Sequence, residues 1–223
     1  MIRGILLDIE GTTTPIAFVY QVLFPYARRH LAAYARSADL TDLRREYEAD
    51  VRGGNDPPDW SIDPVPYIHW LMDQDRKSTG LKRIQGEIWL AGYRNGELHG
   101  EVFNDVPPAL QRWHAAGIDV RIFSSGSILS QRLVFSTTAS GDLTKYLNGY
   151  FDTTTGPKNE AASYQRIANT FGIPASEILF VSDVTRELDA ARDAGMQTLL
   201  CVRPGNHPQL SHTHKVITTF ADI

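Results

Sequence analysis

At 223 residues the chain is roughly one and a half times the ~150 residues commonly taken by one domain, which points to one α/β domain with an insertion and excludes a tandem array. Apolar residues make up 42% and charged residues 22%, enough for a core of its own and too apolar for a disordered or fibrous chain. With 22 Lys plus Arg against 26 Asp plus Glu, the net charge of −4 offers no broad attraction to nucleic acid or an anionic membrane, so an anionic ligand has to be held locally.

In chain order, Ile2 to Leu7 reads as a strand, without the basic lead or small-residue cleavage site of a signal peptide. No apolar run approaches the ~18 residues of a membrane span. The single cysteine, Cys201, excludes an intrachain disulfide and fits a reducing compartment. A soluble, cytoplasmic protein is expected. Residues 16–97 carry helical patterns rich in aromatics, such as Tyr67 to Met72 and Ile88 to Tyr93, broken by the Gly53-Gly54-Asn55-Asp56-Pro57-Pro58-Asp59 loop. They predict an inserted α-helical domain, whose Arg44-Arg45-Glu46 run is expected to be a solvated face and whose Trp60, Trp70 and Trp89 are expected to fill its own core.

From residue 101 onward short apolar runs alternate with helical patterns, the order that crossover helices impose on a parallel sheet. The strands expected are Ile118 to Phe123, Ile178 to Val181 and Thr198 to Val202. A helix opens after Asp105 and closes by Gly117, a second ends at Phe171 before Gly172, and a third runs from Arg186 to Ala194. The fold class is therefore α/β, a doubly wound, mostly parallel sheet, with residues 1–15 and 98–223 as core and 16–97 as the helical insert. His212 and His214, in a polar stretch without a Cys or carboxylate beside them, are expected to be solvated, and Cys201 to be packing.

In an open parallel sheet ligands gather outside the carboxyl ends of the strands, where helix N-termini present free amides. Three strands end in polar clusters: Asp8-Ile9-Glu10-Gly11-Thr12-Thr13, Ser124-Ser125-Gly126-Ser127 and Ser182-Asp183-Val184-Thr185-Arg186-Glu187. Gly156-Pro157-Lys158, before a predicted helix, can bring an ammonium to the same edge. Either Asp alone has an ordinary turn or capping job. Together, Asp8, Glu10 and Asp183 crowd three carboxylates, each like-charge pair costing about 4 kcal/mol at ~4 Å and an effective dielectric near 20. A hard cation such as Mg²⁺ relieves this, and the donors are oxygens rather than the His and Cys of a zinc site.

These clusters, in this order, resemble the motifs of the haloacid dehalogenase superfamily, chiefly its phosphatases. Asp8-Ile9-Glu10-Gly11-Thr12 matches the Asp-x-Asp-Gly-Thr motif with Glu10 as the departure, and Ser124, Lys158 and Asp183 match the remaining three. Glu10, the continuation Thr13-Thr14-Pro15-Ile16, the two serine-rich strand ends, Phe151-Asp152-Thr153 and Val202-Arg203-Pro204-Gly205-Asn206 resemble one branch closely, the enolase-phosphatases of methionine salvage. Gln85-Gly86 and Trp89 in the insert agree with it, so the likeness spans nearly the whole chain.

The resemblance implies a Rossmann-like core with a cap and a phosphatase that passes through an aspartyl-phosphate. Asp8 is then the nucleophile and Glu10 the acid and base, while Ser124, Ser125 and Lys158 bind the phosphoryl group. One Mg²⁺ per chain is held by Asp8, Glu10 (through its main-chain carbonyl) and Asp183. The implied substrate is a phosphorylated diketone, enolised and then dephosphorylated, and the partners expected are that small molecule alone, with neither nucleic acid nor membrane, for a monomer. A phosphatase of another small phosphate ester is the nearest rival.

Overall fold

The computed structural model describes residues 1–74, 76, 78–209 and 211–223. They divide into two compact units, Met1–Val19 with His99–Ile223, and Tyr20–Leu98. Residues 16–19, expected in the insert, belong to the first unit.

The first unit is built on β1 (Gly4–Leu7), β2 (Asp119–Phe123), β3 (Gly149–Phe151), β4 (Ile178–Ser182), β5 (Gln197–Cys201) and β6 (Lys215–Ile217). They form one sheet in the order β3-β2-β1-β4-β5-β6, every pair parallel. β1 sits in the middle, Leu7 opposite Ile122 of β2 and Val181 of β4, so the polar residues after these strands emerge at one edge. The short helix α1 (Ile16–Phe18) leads into the second unit, and beyond that unit the crossovers are α6 (Val106–Ala115), α7 (Ile128–Ser136), α8 (Ala161–Phe171) and α9 (Thr185–Asp193).

Strand alternation puts successive side chains on opposite faces, and both are filled. Ile5, Leu7, Val120, Ile122 and Val181 pack with Val106, Leu110 and Trp113 of α6. Leu6, Phe123 and Phe180 pack with Tyr164 and Ile167 of α8 and Leu188 and Ala191 of α9. Each such side chain, withdrawn from water, contributes about 1.5–3 kcal/mol, which makes the central strands a rigid base for whatever their ends carry.

Two strands and one helix lie outside the sequence expectations. β3 and β6 are three-residue edge strands, too short to show a period. In α7, Gln131 is buried while Ile128 and Leu129 are exposed, so the apolar face that would mark it as a helix is scrambled. His214 corrects the expectation of solvation: it is buried, with Nδ1 2.9 Å from Thr198 Oγ1 and Nε2 3.1 Å from Asp189 Oδ1. Cys201 is fully buried, and burial pushes its thiol up to about 11, which leaves it packing.

The second unit consists of α2 (Phe24–Ala35), α3 (Thr41–Arg52), α4 (Val65–Asp73) and α5 (Thr79–Arg94). A π-helical turn, Val19–Leu23, joins it to α1. Tyr47, Trp60, Tyr67 and Trp70 stack or tilt against one another with centroids 5.2–5.8 Å apart, and Trp89 donates its indole N–H to Leu23 O at 2.8 Å. Arg44 and Arg45 form exposed i,i+4 and i,i+3 ion pairs with Glu48 and Asp42, as a solvated face should. Glu46 departs from that expectation: it turns to the first turn of α5, accepting from the Gly80 amide at 3.0 Å and from the Ser78 hydroxyl. No helix among the described residues is long and apolar enough to cross a membrane.

Asp50 is the buried charge of this unit. It accepts from Tyr67 Oη at 2.8 Å, Asn55 Nδ2 at 2.8 Å and Arg76 Nη2 at 2.6 Å. Burial raises its carboxyl, but the three donors outweigh that and hold it below the ordinary carboxylate range. A carboxyl depressed in the folded state contributes stability above its unfolded pKa and loses it as pH falls through the folded one. Asp50→Ala should cost about 2 kcal/mol at neutral pH, the half-exposed Arg76 contributing least, and urea unfolding should show this deficit shrinking as the solution is acidified below pH ~4.

Candidate active site

Asp8 continues β1, its amide donating to Val181 O of β4 at 3.0 Å. The chain then coils around a single acceptor: the amides of Thr12, Thr13 and Thr14 all donate to Ile9 O at 2.9–3.2 Å, and Thr13 Oγ1 donates to Asp8 O at 3.1 Å. The coil needs φ +70° at Gly11, where a Cβ would collide with the side chains of Asp183 and Asn206. Both reasons require glycine. Glu10, half-buried, stands in an isolated bridge with Thr14.

The coil is tied down by the segment after β5. Asn206 Nδ2 donates to Gly11 O at 2.9 Å and to Cys201 O at 3.2 Å. Arg203 Nε donates to Thr12 O at 3.2 Å, while its guanidinium lies over the Phe103 and Phe220 rings and pairs with Asp105 at 2.9 Å. Asp105 was expected only to open α6; it sits at the N-cap without capping, and spends its carboxylate on Arg203, Thr219 Oγ1 at 3.0 Å and the Phe220 amide at 2.6 Å. Burial raises this carboxyl and those partners bring it below its usual range.

Asp8 is buried, and its two oxygens are held from three directions. Oδ1 accepts from the Ile9 amide at 2.7 Å and from Lys158 Nζ at 2.7 Å; Oδ2 accepts from Ser182 Oγ at 3.1 Å. Lys158 reaches inward because Gly156, at φ +139°, turns the chain where a Cβ would strike Arg166 and Ser163, and because Tyr164 Oη donates to Lys158 O at 2.7 Å. The same ammonium lies 2.7 Å from Glu187 Oε2. Burial would lower its pKa, but Asp8 and Glu187 more than reverse this, so it stays an ammonium.

Ser124, buried, follows β2 with its amide on Phe151 O at 3.2 Å, while Ser125 beside it is exposed. Gln131 Nε2 fixes this loop by donating to Gly126 O at 2.9 Å and Phe151 O at 2.8 Å, and Ser127 Oγ caps α7 by accepting from the Ser130 amide at 3.2 Å. α7 thus begins four residues after the Ser124 end of β2, and helix N-termini carry amides suited to an anion.

The structure therefore brings Asp8 and Lys158 into contact and sets Asp183 within reach of their charge. Asp183 is buried, and burial, then Asp8 and Glu187, push its carboxyl up to about 7. Burial also raises Glu187. One ammonium faces the three carboxylates of Asp8, Asp183 and Glu187, leaving negative potential that a divalent cation would relieve. The oxygen donors suit a hard ion. Among the described residues no group of three His, Cys, Asp or Glu side chains is placed to hold a metal ion. Asp183 does not cap α9, which begins after Val184 without a side-chain cap. Ser182, Glu187, Arg203 and Asn206 stand in the clusters quoted from the sequence without an individual role there, and Gln131 is absent from them; a hydroxyl closing an otherwise apolar buried strand is the local signal for Ser182.

A family model described as haloacid dehalogenase-like hydrolase matches residues 2–195. The enolase-phosphatase E1 of Synechococcus elongatus is 53% identical over 217 residues, covering 92% of this chain and 90% of that protein. The enolase-phosphatase E1 of Pseudomonas aeruginosa is 48% identical over 225 residues, covering 100% of this chain and 98% of that protein. Among solved structures, the UTR4 protein of Saccharomyces cerevisiae has a TM-score of 0.82 at 32% identity, each chain covered 100%. CbbY of Rhodobacter sphaeroides, solved with phosphate, has a TM-score of 0.62 at 16% identity, covering 100% of this chain and 96% of that one, and shares the fold.

Removing Arg203 leaves the Asp105 carboxylate with its two neutral donors and no counter-charge, and unties Thr12. Arg203→Ala should lower stability by about 3 kcal/mol, and Arg203→Lys should recover only part of it because an ammonium neither stacks on the two rings nor serves Thr12 O, Thr218 O (2.9 Å) and Asp105 from one planar group; urea unfolding of both variants measures this.

Proposed function

The chain belongs to the haloacid dehalogenase-like hydrolase family, and we propose that it is an enolase-phosphatase of methionine salvage, converting 2,3-diketo-5-methylthiopentyl-1-phosphate first to its enol and then to the acireductone and phosphate. The observation that carries the chemistry is the buried Asp8 carboxylate, held by Lys158, Ser182 and the Ile9 amide beside Asp183. The protein acts as a cytoplasmic monomer, and the helical unit serves as its cap.

Asp8 attacks phosphorus in line. One of its oxygens bonds phosphorus, the ester oxygen leaves with the bonding pair, and the protein carries an aspartyl-phosphate until water takes the phosphoryl group. Glu10 gives the proton that the leaving oxygen needs and later removes one from the attacking water. Ser124 and Ser125, with nearby amides, donate to the phosphoryl oxygens, and Lys158 offsets the charge of Asp8 and of the phosphate. For the enolisation, Glu10 is the base: its side chain is one methylene longer than the Asp of the usual motif and reaches a carbon-bound proton. Mg²⁺, held when bound by Asp8, the Glu10 carbonyl and Asp183, would supply positive charge against the phosphate and the carboxylates.

Incubating the protein with Mg²⁺ and the diketone phosphate, while following enol absorbance and free phosphate together, tests the reading. Both signals should appear in sequence; phosphate release from simple phosphate esters with no turnover of the diketone would overturn it. Asp8→Asn and a chelating agent should each abolish phosphate release. Glu10→Asp should slow the enol signal about 100-fold, and a variant that enolises at the wild-type rate would remove Glu10 as the base.

A further inference from the structure

Asp8 and Glu187 are bridged twice. Lys158 Nζ lies 2.7 Å from Asp8 Oδ1 and 2.7 Å from Glu187 Oε2, and Ser182 Oγ lies 3.1 Å from Asp8 Oδ2 and 3.1 Å from that same Glu187 Oε2. The four side chains close a ring. The two bridges differ in capacity: an ammonium has protons for both carboxylates at once, whereas a hydroxyl has one. Ser182 is 0% exposed, so its own hydroxyl meets protein groups and not bulk water, and its oxygen is pinned by the Val184 amide at 3.1 Å. Its single proton can serve Asp8 or Glu187, each 3.1 Å away, but not both at once.

We propose that Ser182 is a further catalytic residue, a hydrogen-bond switch whose proton serves Asp8 when Asp8 is a free carboxylate and Glu187 while Asp8 carries the phosphoryl group. This rests on the aspartyl-phosphate reading above. When an Asp8 oxygen bonds phosphorus and the ester bond breaks toward the leaving oxygen, the Asp8 carboxylate becomes an uncharged carbonyl and an ester oxygen. Both accept more weakly than an anion, and the proton turns to Glu187. In the second half, a water oxygen bonds phosphorus, its proton goes to Glu10, and the bond from Asp8 to phosphorus breaks with its electron pair returning to the carboxylate. Negative charge grows on Asp8 as the Ser182 proton swings back, so this hydrogen bond is stronger in the transition state than in the phosphorylated ground state. The first half runs the other way: the bond weakens as the nucleophile loses charge, and Ser182 gives no acceleration there. The switch therefore favours hydrolysis of the intermediate over its formation.

Ser182→Ala and Ser182→Cys separate the halves. After rapid mixing with Mg²⁺ and the diketone phosphate and quenching in acid, intact-protein mass spectrometry reads the fraction carrying phosphoryl. In the alanine variant hydrolysis of the intermediate should slow about tenfold, the phosphorylated fraction should rise in the steady state, and kcat and KM should fall together. The cysteine variant, close in size and a weaker donor, should lie between alanine and wild type, and it carries the test should the alanine variant not fold. Hydrolysis at the wild-type rate, or slower formation without accumulation, overturns the switch. A wild-type enzyme that turns over without phosphoryl on Asp8, or an active Asp8→Asn, would instead remove the aspartyl-phosphate and the switch with it.

Discussion

The ion pair between Asp8 and Lys158 is the interaction on which the rest of the site depends. Both groups are withdrawn from water, where an unpaired carboxylate would take up a proton rather than stay charged. At a separation of 2.7 Å the ammonium makes the anion tolerable without covering it, since Lys158 and the Ile9 amide occupy Oδ1 while, among the described residues, a neutral hydroxyl meets Oδ2. Burial, which alone would silence an acid, here confines its charge to one edge of the sheet. Asp183, close by, has no ion pair among the described residues, and burial, then the charges of Asp8 and Glu187, push its carboxyl upward.

That arrangement requires pieces from the whole length of the first unit. Asp8 follows β1, Lys158 precedes α8, Ser182 and Asp183 close β4, and Arg203 and Asn206 follow β5. Register holds them together. Because Leu7 is opposite both Ile122 and Val181, the residues leaving β1, β2 and β4 emerge at one level, and the buried faces of those strands resist slippage by a residue. The clamp of Arg203 and Asn206 on Gly11 and Thr12 then does for the backbone of the coil what Lys158 does for its side chain.

Central strands and the polar residues behind them were legible because burial on both faces leaves an unbroken apolar run and its end is abrupt. Ile178 to Val181 followed by Ser182 and Asp183 is the clearest case. Edge strands β3 and β6 were not legible, three residues being too few for any period, and α7 hid behind a buried glutamine that holds the loop carbonyl of Gly126. Asp8 and Lys158 could be picked out by chemical type and position. The work of Asp105 could not, since an acid before a proline-rich helix start looks like a cap until its partner, nearly a hundred residues away, is brought alongside. His214 misled for the same reason: its partners on α9 and β5 are neighbours only in the folded chain. Local pattern reports what a residue is; its partners at long range decide what it does.

The central position of β1 also shapes how this protein is made. Its neighbours on the two sides begin at Asp119 and Ile178, and the helical unit of residues 20–98 intervenes before either. During synthesis from the N-terminus, the apolar stretch Ile5 to Leu7 therefore leaves the ribosome long before any partner strand exists, while the helices that follow find theirs among close neighbours. Until β2 and β4 are synthesised, Ile5 to Leu7 has no strand to pair with, so these few apolar residues are the ones whose exposure the order of synthesis prolongs.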